Sequence, residues 1–178
     1  VGALLWRAGR PFLPLIPDTE GTERARAGTP DVPGAGSMSA ALQACLSELR
    51  EGRAAELRAQ RDALEGALQE AFPEALVHGR ETDRLANTLC LSVPLPSGAW
   101  PDGEALVVEL AGQGIAVSTG AACATGTGAP SPVLLAMGLT PEVAAASLRF
   151  SLGHMTTLSD PGAVVDAVRT GLERLEDH

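Results

Sequence analysis

The stretch "VSTGAACATGTGAPSPVLLAMGL" (residues 117–139) joins a predicted strand to a predicted short helix. The residues around its start, "IAVST" (115–119), favour a strand. Ser131 followed by Pro132 is typical of a helix start, and Gly138 is typical of a helix end. A loop of small residues around Cys123 separates the two elements. Strand and helix in succession indicate a fold of mixed α and β structure.

The same alternation continues on both sides of this stretch. Apolar residues spaced by three or four predict helical structure over 37–71, and Gly52 is a candidate break between two helices. Further helices are predicted over 103–112, capped by Asp102, after Thr140, and after Ser159 or Asp160. Predicted strands cover 1–7 (as a buried strand), 75–79, 87–95 and 147–152. The order of elements predicts an α/β or α+β fold, and residues 8–36 form a long polar connection of the kind that carries function or is shaped by a partner.

Composition limits the classes of function. The chain has 178 residues, of which 45% are hydrophobic, and this suits one domain or one domain plus part of another. Its net charge is -9, which argues against direct binding of nucleic acid. No apolar run is long enough for a membrane-spanning helix, so no membrane partner is expected. All 13 basic residues are arginine.

Three cysteines are spaced too widely for paired motifs. Their number and spacing argue against a disulfide framework or a zinc site, and they favour a reducing, cytoplasmic setting. Cys45 lies on the apolar stripe of a predicted helix, and Cys90 lies between two leucines of a predicted strand. Both are predicted to pack in the core.

Cys123 differs because its neighbours are small. Gly120, Gly126 and Gly128 would let the loop move, and a reactive thiol must be reached by another molecule. Cys123 is therefore a candidate nucleophile, although glycine-rich loops without chemistry are also common. A protease-like Cys–His pair is not expected, because no histidine has a recognisable Asn or Asp partner pattern; the histidines are His78, His154 and His178.

Two further residues are candidates for binding anions. Arg149 is the one charge in the strand "SLRFSLG" (147–153). A buried arginine needs an anion, and a carboxylate is its natural bidentate partner, so a small carboxylic acid substrate is one interpretation and a structural ion pair is the other. Thr29 follows Gly28 in a polar turn that could hold a phosphate.

Four segments together resemble the C-terminal part of a cysteine desulfurase, a pyridoxal 5'-phosphate (PLP) enzyme of the class V aminotransferase group and of fold type I. They are "STGAACATGTGAPSPVLLAMGL" (118–139), "ASLRFSLGHMTT" (146–157), "VGALLWR" (1–7) and "GTERARAGTPDVPG" (21–34). The resemblance covers nearly the whole chain. It implies that residues 1–35 end the large cofactor-binding domain and that residues 36–178 form the C-terminal small domain with the cysteine loop.

The resemblance also implies roles for single residues. Cys123 would take sulfur from L-cysteine as a persulfide, release L-alanine, and deliver the sulfur for iron–sulfur cluster assembly or tRNA thiolation. Arg149 would hold the substrate carboxylate. Thr29 would reach across a homodimer interface to the phosphate of the partner's PLP. Cys123 would in addition be a transient ligand of an iron–sulfur cluster shared with a scaffold protein.

The chain departs from the family pattern in several places. It has no lysine, and the lysine that binds PLP would precede residue 1, so the sequence reads as part of a longer chain. The segment 17–28 is altered, Asp31 stands where Asn is frequent, and His154 stands where Arg is usual. Two alternatives remain open: another class V lyase or aminotransferase with Cys123 as a bystander, and a non-enzymatic remnant that serves as a sulfur acceptor or interaction module.

Overall fold

The computed structural model describes residues 1–16, 27–119, 130–153, 156 and 160–177. Within these ranges the chain forms two compact units, Val1–Glu51 and Gly52–His178. The helices are α1 (Val32–Arg50), α2 (Arg53–Ala71), α3 (Gly103–Gly112), α4 (Pro132–Ala136), α5 (Pro141–Ala145) and α6 (Pro161–Glu176). The strands are β1 (Leu76–Val77), β2 (Thr88–Ser92), β3 (Ser118–Thr119) and β4 (Ser147–Ser151). No helix in the described ranges has both the length and the apolar character needed to cross a bilayer.

The first unit contains one described helix, α1. Asp31 caps it, because the Gly34 amide donates to Asp31 Oδ1 at 3.0 Å. No residue of α1 is buried, and Cys45 is exposed. The prediction that Cys45 packs in the core is therefore wrong: its stripe is apolar, but burial requires a second element packed on that stripe.

Residues 1–7 do not form the predicted buried strand. Leu4, Leu5 and Trp6 are exposed, and the Trp6 ring stacks on Phe12 with the ring centroids 5.1 Å apart. A strand exists only where a neighbouring strand supplies hydrogen bonds. No described strand pairs with these residues, so their apolar character alone does not make them a strand.

The predicted helical region is divided at Gly52, as the sequence predicts. Gly52 has a φ of 87°, in the left-handed region that glycine adopts without strain, and α2 begins at the next residue. Arg61, Leu64 and Leu68 of α2 are buried. The predicted helical region thus contains two helices: α1, which has no buried residue, and α2, which packs in the core of the second unit.

The second unit is built on a four-stranded antiparallel sheet with the strand order β1-β2-β4-β3. Alternate residues point to one face of the sheet and are buried there with residues of α2, α3 and α6; the strand residues are Leu89, Leu91, Leu148 and Phe150. The predicted mixture of helices and strands is confirmed, and the antiparallel pairing makes this unit α+β.

Helix caps follow the sequence closely. Asp102 and Asp160 accept from the amides of Glu104 and Gly162, at 2.9 and 2.8 Å. Ser131 and Thr140 cap the two short helices α4 and α5. The observed bounds of α3 agree with the predicted range 103–112, because each cap is a contact between residues close in the chain.

The division between the two units falls after Glu51, whereas the predicted domain boundary lies near residue 35. That boundary refers to a large cofactor-binding domain and a small domain of a longer enzyme. The assignment of residues 1–35 and 36–178 to those domains stays a prediction.

Candidate substrate and cofactor site

Arg149 lies in the central strand β4, on the face of the sheet opposite the core. Its Cα partner on β2 is Cys90, and its Cα partner on β3 is Ser118. Residues at the same register of antiparallel strands point to the same face and have Cβ atoms about 4.5–5.5 Å apart. These three residues therefore form a row across the sheet, which we call the Arg149 row. All three are half-buried.

Helix α5 closes the sheet face on one side of this row. The Ser92 hydroxyl donates to the Val143 carbonyl at 2.8 Å, and the Ser147 hydroxyl donates to the Ala144 carbonyl at 2.9 Å. Both serines are fully buried. On the other side of the row, Ser151 is exposed, so the polar face is closed at one end and accessible at the other.

The thiol of Cys90 is neutral at physiological pH. Burial raises its pKa to about 11, and the positive charge of Arg149 opposes that rise only in part. The prediction of core packing for Cys90 is wrong in detail: Leu89 and Leu91 enter the core, and the intervening Cys90 faces the Arg149 row.

Thr29 lies in the first unit, in the turn before α1. Gly28 there has a φ of 96°, which allows the chain to turn tightly into the helix. The turn borders a cavity of about 560 Å³; its lining residues are Val1, Gly2, Ala27, Gly28, Thr29, Pro30, Asp31 and Ala35. Asp31 accepts the capping hydrogen bond of α1. The other polar side chain of this lining is the exposed Thr29 hydroxyl, and a neutral hydroxyl can donate to a phosphate oxygen.

Cys123 lies outside the described residues, as do His154, His178 and the glycines at 120, 126 and 128. The described chain does fix the two ends of that segment. Strand β3 ends at Thr119, directly after Ser118 of the Arg149 row, and α4 begins at Pro132. The segment with Cys123 therefore starts beside the strand that carries Arg149.

His78 has a partner that the sequence pattern did not reveal. Its Nε2 lies 2.8 Å from Ser92 Oγ, and both side chains are buried. Burial lowers the pKa of His78 below its ordinary value of 6.5. His78 thus contributes to the interior of the second unit. Among the described residues, no group of three or more His, Cys, Asp or Glu side chains could hold a metal ion.

Ser118 is the residue of the site that sequence reasoning missed. A serine at the end of a short strand carries no distinctive pattern. Its position became informative only through its pairing with Arg149, since register between distant segments is not written in either segment alone.

Comparison with known proteins identifies the class. The family model "Aminotransferase class-V" matches residues 18–163, so this chain belongs to that family. The cysteine desulfurase of Cereibacter sphaeroides is 37% identical over 98% of this chain and 43% of its own length. The IscS-like cysteine desulfurase of Mycobacterium tuberculosis is 39% identical over 97% of this chain and 44% of its own length.

Solved structures agree with this classification. A NifS-like protein from Rickettsia africae ESF-5 matches with a TM-score of 0.71 and 25% identity, over 93% of this chain and 40% of that one. A second NifS-like protein matches with a TM-score of 0.71 and 28% identity, over 97% and 41%. The predicted fold class, a mixed α and β part of a PLP-dependent transferase fold, is confirmed. The chain spans 43 to 44% of the length of the two cysteine desulfurases above.

Proposed function

We propose that this chain carries the substrate-binding and sulfur-accepting parts of a PLP-dependent cysteine desulfurase. The observation that supports this best is the Arg149 row. A cation in the central strand lies at the register of Ser118, and Ser118 precedes Cys123 by five positions. A cation that can bind a carboxylate thus lies on the strand next to β3, and the segment that carries Cys123 follows β3 in the chain.

Arg149 binds the carboxylate of L-cysteine in this proposal. A guanidinium offers two parallel N–H donors to a carboxylate, and such charge-assisted pairs are strong and directional. The half-buried position of Arg149 strengthens the attraction, because partly excluded water screens it less. The guanidinium therefore orients the amino acid with its thiol-bearing carbon in a defined direction.

Cys123 accepts the sulfur. The C–S bond of L-cysteine breaks, an S–S bond forms on Cys123 Sγ, and the remaining carbon skeleton is protonated and leaves as L-alanine. PLP, when bound, supplies the electron sink that makes this C–S bond labile. The persulfide then passes to an acceptor.

The residues present fit PLP only in part. Thr29 offers a hydroxyl to a phosphate oxygen beside the cavity of the first unit, and we propose that this phosphate belongs to the PLP of a second copy in a homodimer. The chain contains no lysine, so the amine that attaches PLP must come from another part of the protein. Residues 1–35 would complete the large cofactor-binding domain, and residues 36–178 would form the small domain.

The proposal also includes the acceptor of the sulfur. Cys123 delivers it, in the cytoplasm, to a protein of iron–sulfur cluster assembly or of tRNA thiolation, and it serves as a transient cluster ligand with the scaffold. Neither role requires contact with nucleic acid or membrane.

The test uses the complete PLP-loaded protein with L-cysteine, and it measures L-alanine and protein persulfide together. Cys123→Ser should abolish persulfide and alanine formation, because a serine hydroxyl cannot replace a thiolate as the sulfur-accepting nucleophile. Cys45→Ser is the matched control, since Cys45 is exposed on α1, and it should retain both products. Persulfide at wild-type level in Cys123→Ser would contradict the proposal.

Product analysis separates the alternatives. Sulfide and pyruvate without persulfide would identify another class V lyase. Absence of any product from the complete protein, with sulfur transfer onto Cys123 from an added donor, would identify a non-enzymatic acceptor.

A further inference from the structure

We propose that Asn87 is a positioning residue for substrate binding, because it holds the C-terminal end of β4, the strand that carries Arg149, against the neighbouring chain. This inference rests on the proposed function, in which Arg149 binds the carboxylate of L-cysteine. The motif resemblance assigns no role to Asn87. Asn87 acts here through the backbone of β4.

The side chain of Asn87 continues the pairing of β2 with β4. In the register of these strands, Asn87 lies opposite Leu152, one step beyond the pair of Thr88 with Ser151. The Leu152 amide donates to the Asn87 carbonyl at 2.8 Å. In a regular antiparallel ladder the Asn87 backbone amide would return this bond. Here Asn87 Nδ2 supplies a donor to the Leu152 carbonyl, at 3.0 Å, and so adds a rung beyond the ends of both strands.

A side-chain donor is needed because the chain turns at this point. The Thr88 amide donates to the Leu85 carbonyl at 3.5 Å, which closes a turn over residues 85–88. The short amide of asparagine can replace a backbone group in such a turn. Its oxygen is also engaged, since Thr88 Oγ1 donates to Asn87 Oδ1 at 3.3 Å. The two contacts together define the direction of the amide, with its nitrogen toward Leu152.

The turn that carries Asn87 is itself fixed to α2. Arg61 is buried on α2, and its Nη1 donates to the Leu85 carbonyl at 2.8 Å. Glu65, which is also buried on α2, forms an ion pair with Arg84 of the same connection. Asn87 therefore ties the end of β4 to a segment that is already attached to a helix of the core.

This end of β4 is the one that most needs support. Leu152 is buried, but Ser151 before it and Gly153 after it are exposed, and exposed strand ends open more readily than the interior of a sheet. Leu152 follows Arg149 by three residues, roughly 10 Å along an extended strand. Opening of this end would change the backbone near Arg149, and a bidentate pair with a carboxylate depends on the direction of both N–H donors.

The test measures the kinetics of Asn87→Asp and Asn87→Ala in the complete PLP-loaded protein. Aspartate keeps the shape of asparagine but cannot donate to the Leu152 carbonyl when ionised, and alanine removes the donor without adding charge. Both variants should raise the KM for L-cysteine about 10-fold, because a small displacement of a substrate-binding group is costly. The kcat should stay within about threefold of the wild type, since the lost interaction acts on binding. A wild-type KM in Asn87→Ala would overturn the inference.

Gln113→Glu is the matched control. Gln113 Nε2 donates to the Ala167 carbonyl at 3.2 Å and joins α3 to α6, so this variant makes the same change of amide to carboxylate at another long-range bond. It should leave KM at the wild-type value. A purely structural role of Asn87 would reduce the number of active molecules and leave KM unchanged, and that result would contradict the inference.

Amide hydrogen exchange tests the positioning without turnover. Residues 147–153 should exchange about 10-fold or more faster in Asn87→Ala than in the wild type, whereas the residues of α6 should exchange at the same rate in both. Equal exchange over 147–153 would overturn the inference. If Asn87→Asp does not fold, as its melting curve would show, Asn87→Ala decides.

A double-mutant cycle with Arg149→Ala separates this inference from the proposed function. The effect of Asn87→Ala on KM should vanish in the Arg149→Ala background, and its persistence there would contradict the inference. If Arg149→Ala alone leaves KM unchanged, the proposed role of Arg149 fails. If Arg149→Ala raises KM while Asn87→Ala does not, only the role of Asn87 fails.

Discussion

His78 Nε2 lies 2.8 Å from Ser92 Oγ in the interior of the second unit. The Ser92 hydroxyl donates its own proton to the Val143 carbonyl, also at 2.8 Å. The Ser92 oxygen is therefore the acceptor for His78, which carries a proton on Nε2. The pair joins the start of the sheet to α5.

This pair predicts a loss of stability in acid. The folded-state pKa of His78 is lowered by burial below 6.5, so the unfolded state binds the proton more readily. The contribution of neutral His78 to the free energy of unfolding is fully present above the unfolded-state pKa of about 6.5. It is lost as the pH falls below that value, by up to about 1.4 kcal/mol per pH unit. Urea unfolding between pH 7.5 and 5 should show this slope in the wild type and a smaller slope in His78→Asn. Parallel profiles would contradict the prediction.

Arg149→Ala should weaken substrate binding. The loss of a charge-assisted bidentate contact costs about 2–4 kcal/mol, which raises the KM for L-cysteine by about 30- to 1,000-fold. Steady-state kinetics of the complete protein measure this change in KM. Arg174→Ala, which removes an exposed pair with Glu109, is the control and should leave KM unchanged. General unfolding of Arg149→Ala would instead indicate a structural ion pair.

Glu65→Gln should destabilise the second unit strongly. Glu65 is buried on α2 and contacts both Arg80 and Arg84, and Arg84 Nη1 is already buried with no partner among the described residues. Removing the carboxylate leaves a cation poorly compensated, at a cost of about 3 kcal/mol in the free energy of unfolding. Glu56→Gln, which breaks the exposed pair with Arg53, should cost less than about 1 kcal/mol. Equal effects of the two variants in denaturant titrations would refute this.

Residues 1–178 expressed alone should not retain PLP and should release no L-alanine from L-cysteine. They contain no lysine, and PLP reacts through attachment to a lysine amine. Gel filtration after incubation with PLP should give a colourless protein. Co-expression with a segment that supplies the lysine should give a yellow complex whose alanine release depends on Cys123. Turnover by residues 1–178 alone, at a rate comparable to the assembled enzyme, would refute the proposed function.

The same chain expressed alone should self-associate through its first unit. Met38, Leu42, Leu46 and Leu49 expose the apolar stripe of α1, and contiguous apolar surface of this kind favours association. Leu42→Glu should lower the apparent mass measured by light scattering. Gln43→Glu adds the same charge on the adjacent position and should have a smaller effect. Identical masses for both variants and the wild type would place the association elsewhere.

The starts of α3, α4 and α5 were predictable from the sequence because they depend on short-range contacts, whereas α1 begins at Val32, inside the predicted connection 8–36 and before the predicted helical start at residue 37. Asp102, Ser131 and Thr140 each accept from an amide two or three positions later, so their role is visible within four residues of sequence. The break at Gly52 is equally local, since it depends on the backbone freedom of one residue. Family membership was also readable from contiguous motifs, and the comparisons confirm it.

The errors share one cause. Cys45 and residues 1–7 are apolar but exposed, because burial needs a partner surface that the pattern does not specify. The prediction for Cys90 is wrong for a related reason. Alternation along the strand shows that Cys90 faces away from Leu89 and Leu91, but it does not show which face of the sheet the helices cover. Each of these outcomes depends on contacts between segments far apart in the chain.

By itself, the sequence determined most of the helices and their caps, the family and the candidate residues Cys123, Arg149 and Thr29. Only the tertiary structure decided the strand order, the burial of His78 against Ser92, and the row that joins Cys90 and Ser118 to Arg149. The physical reason is the range of the interactions. Caps and turns form between neighbours in the chain, whereas strand register is selected by the burial of one sheet face against helices that the rest of the chain supplies.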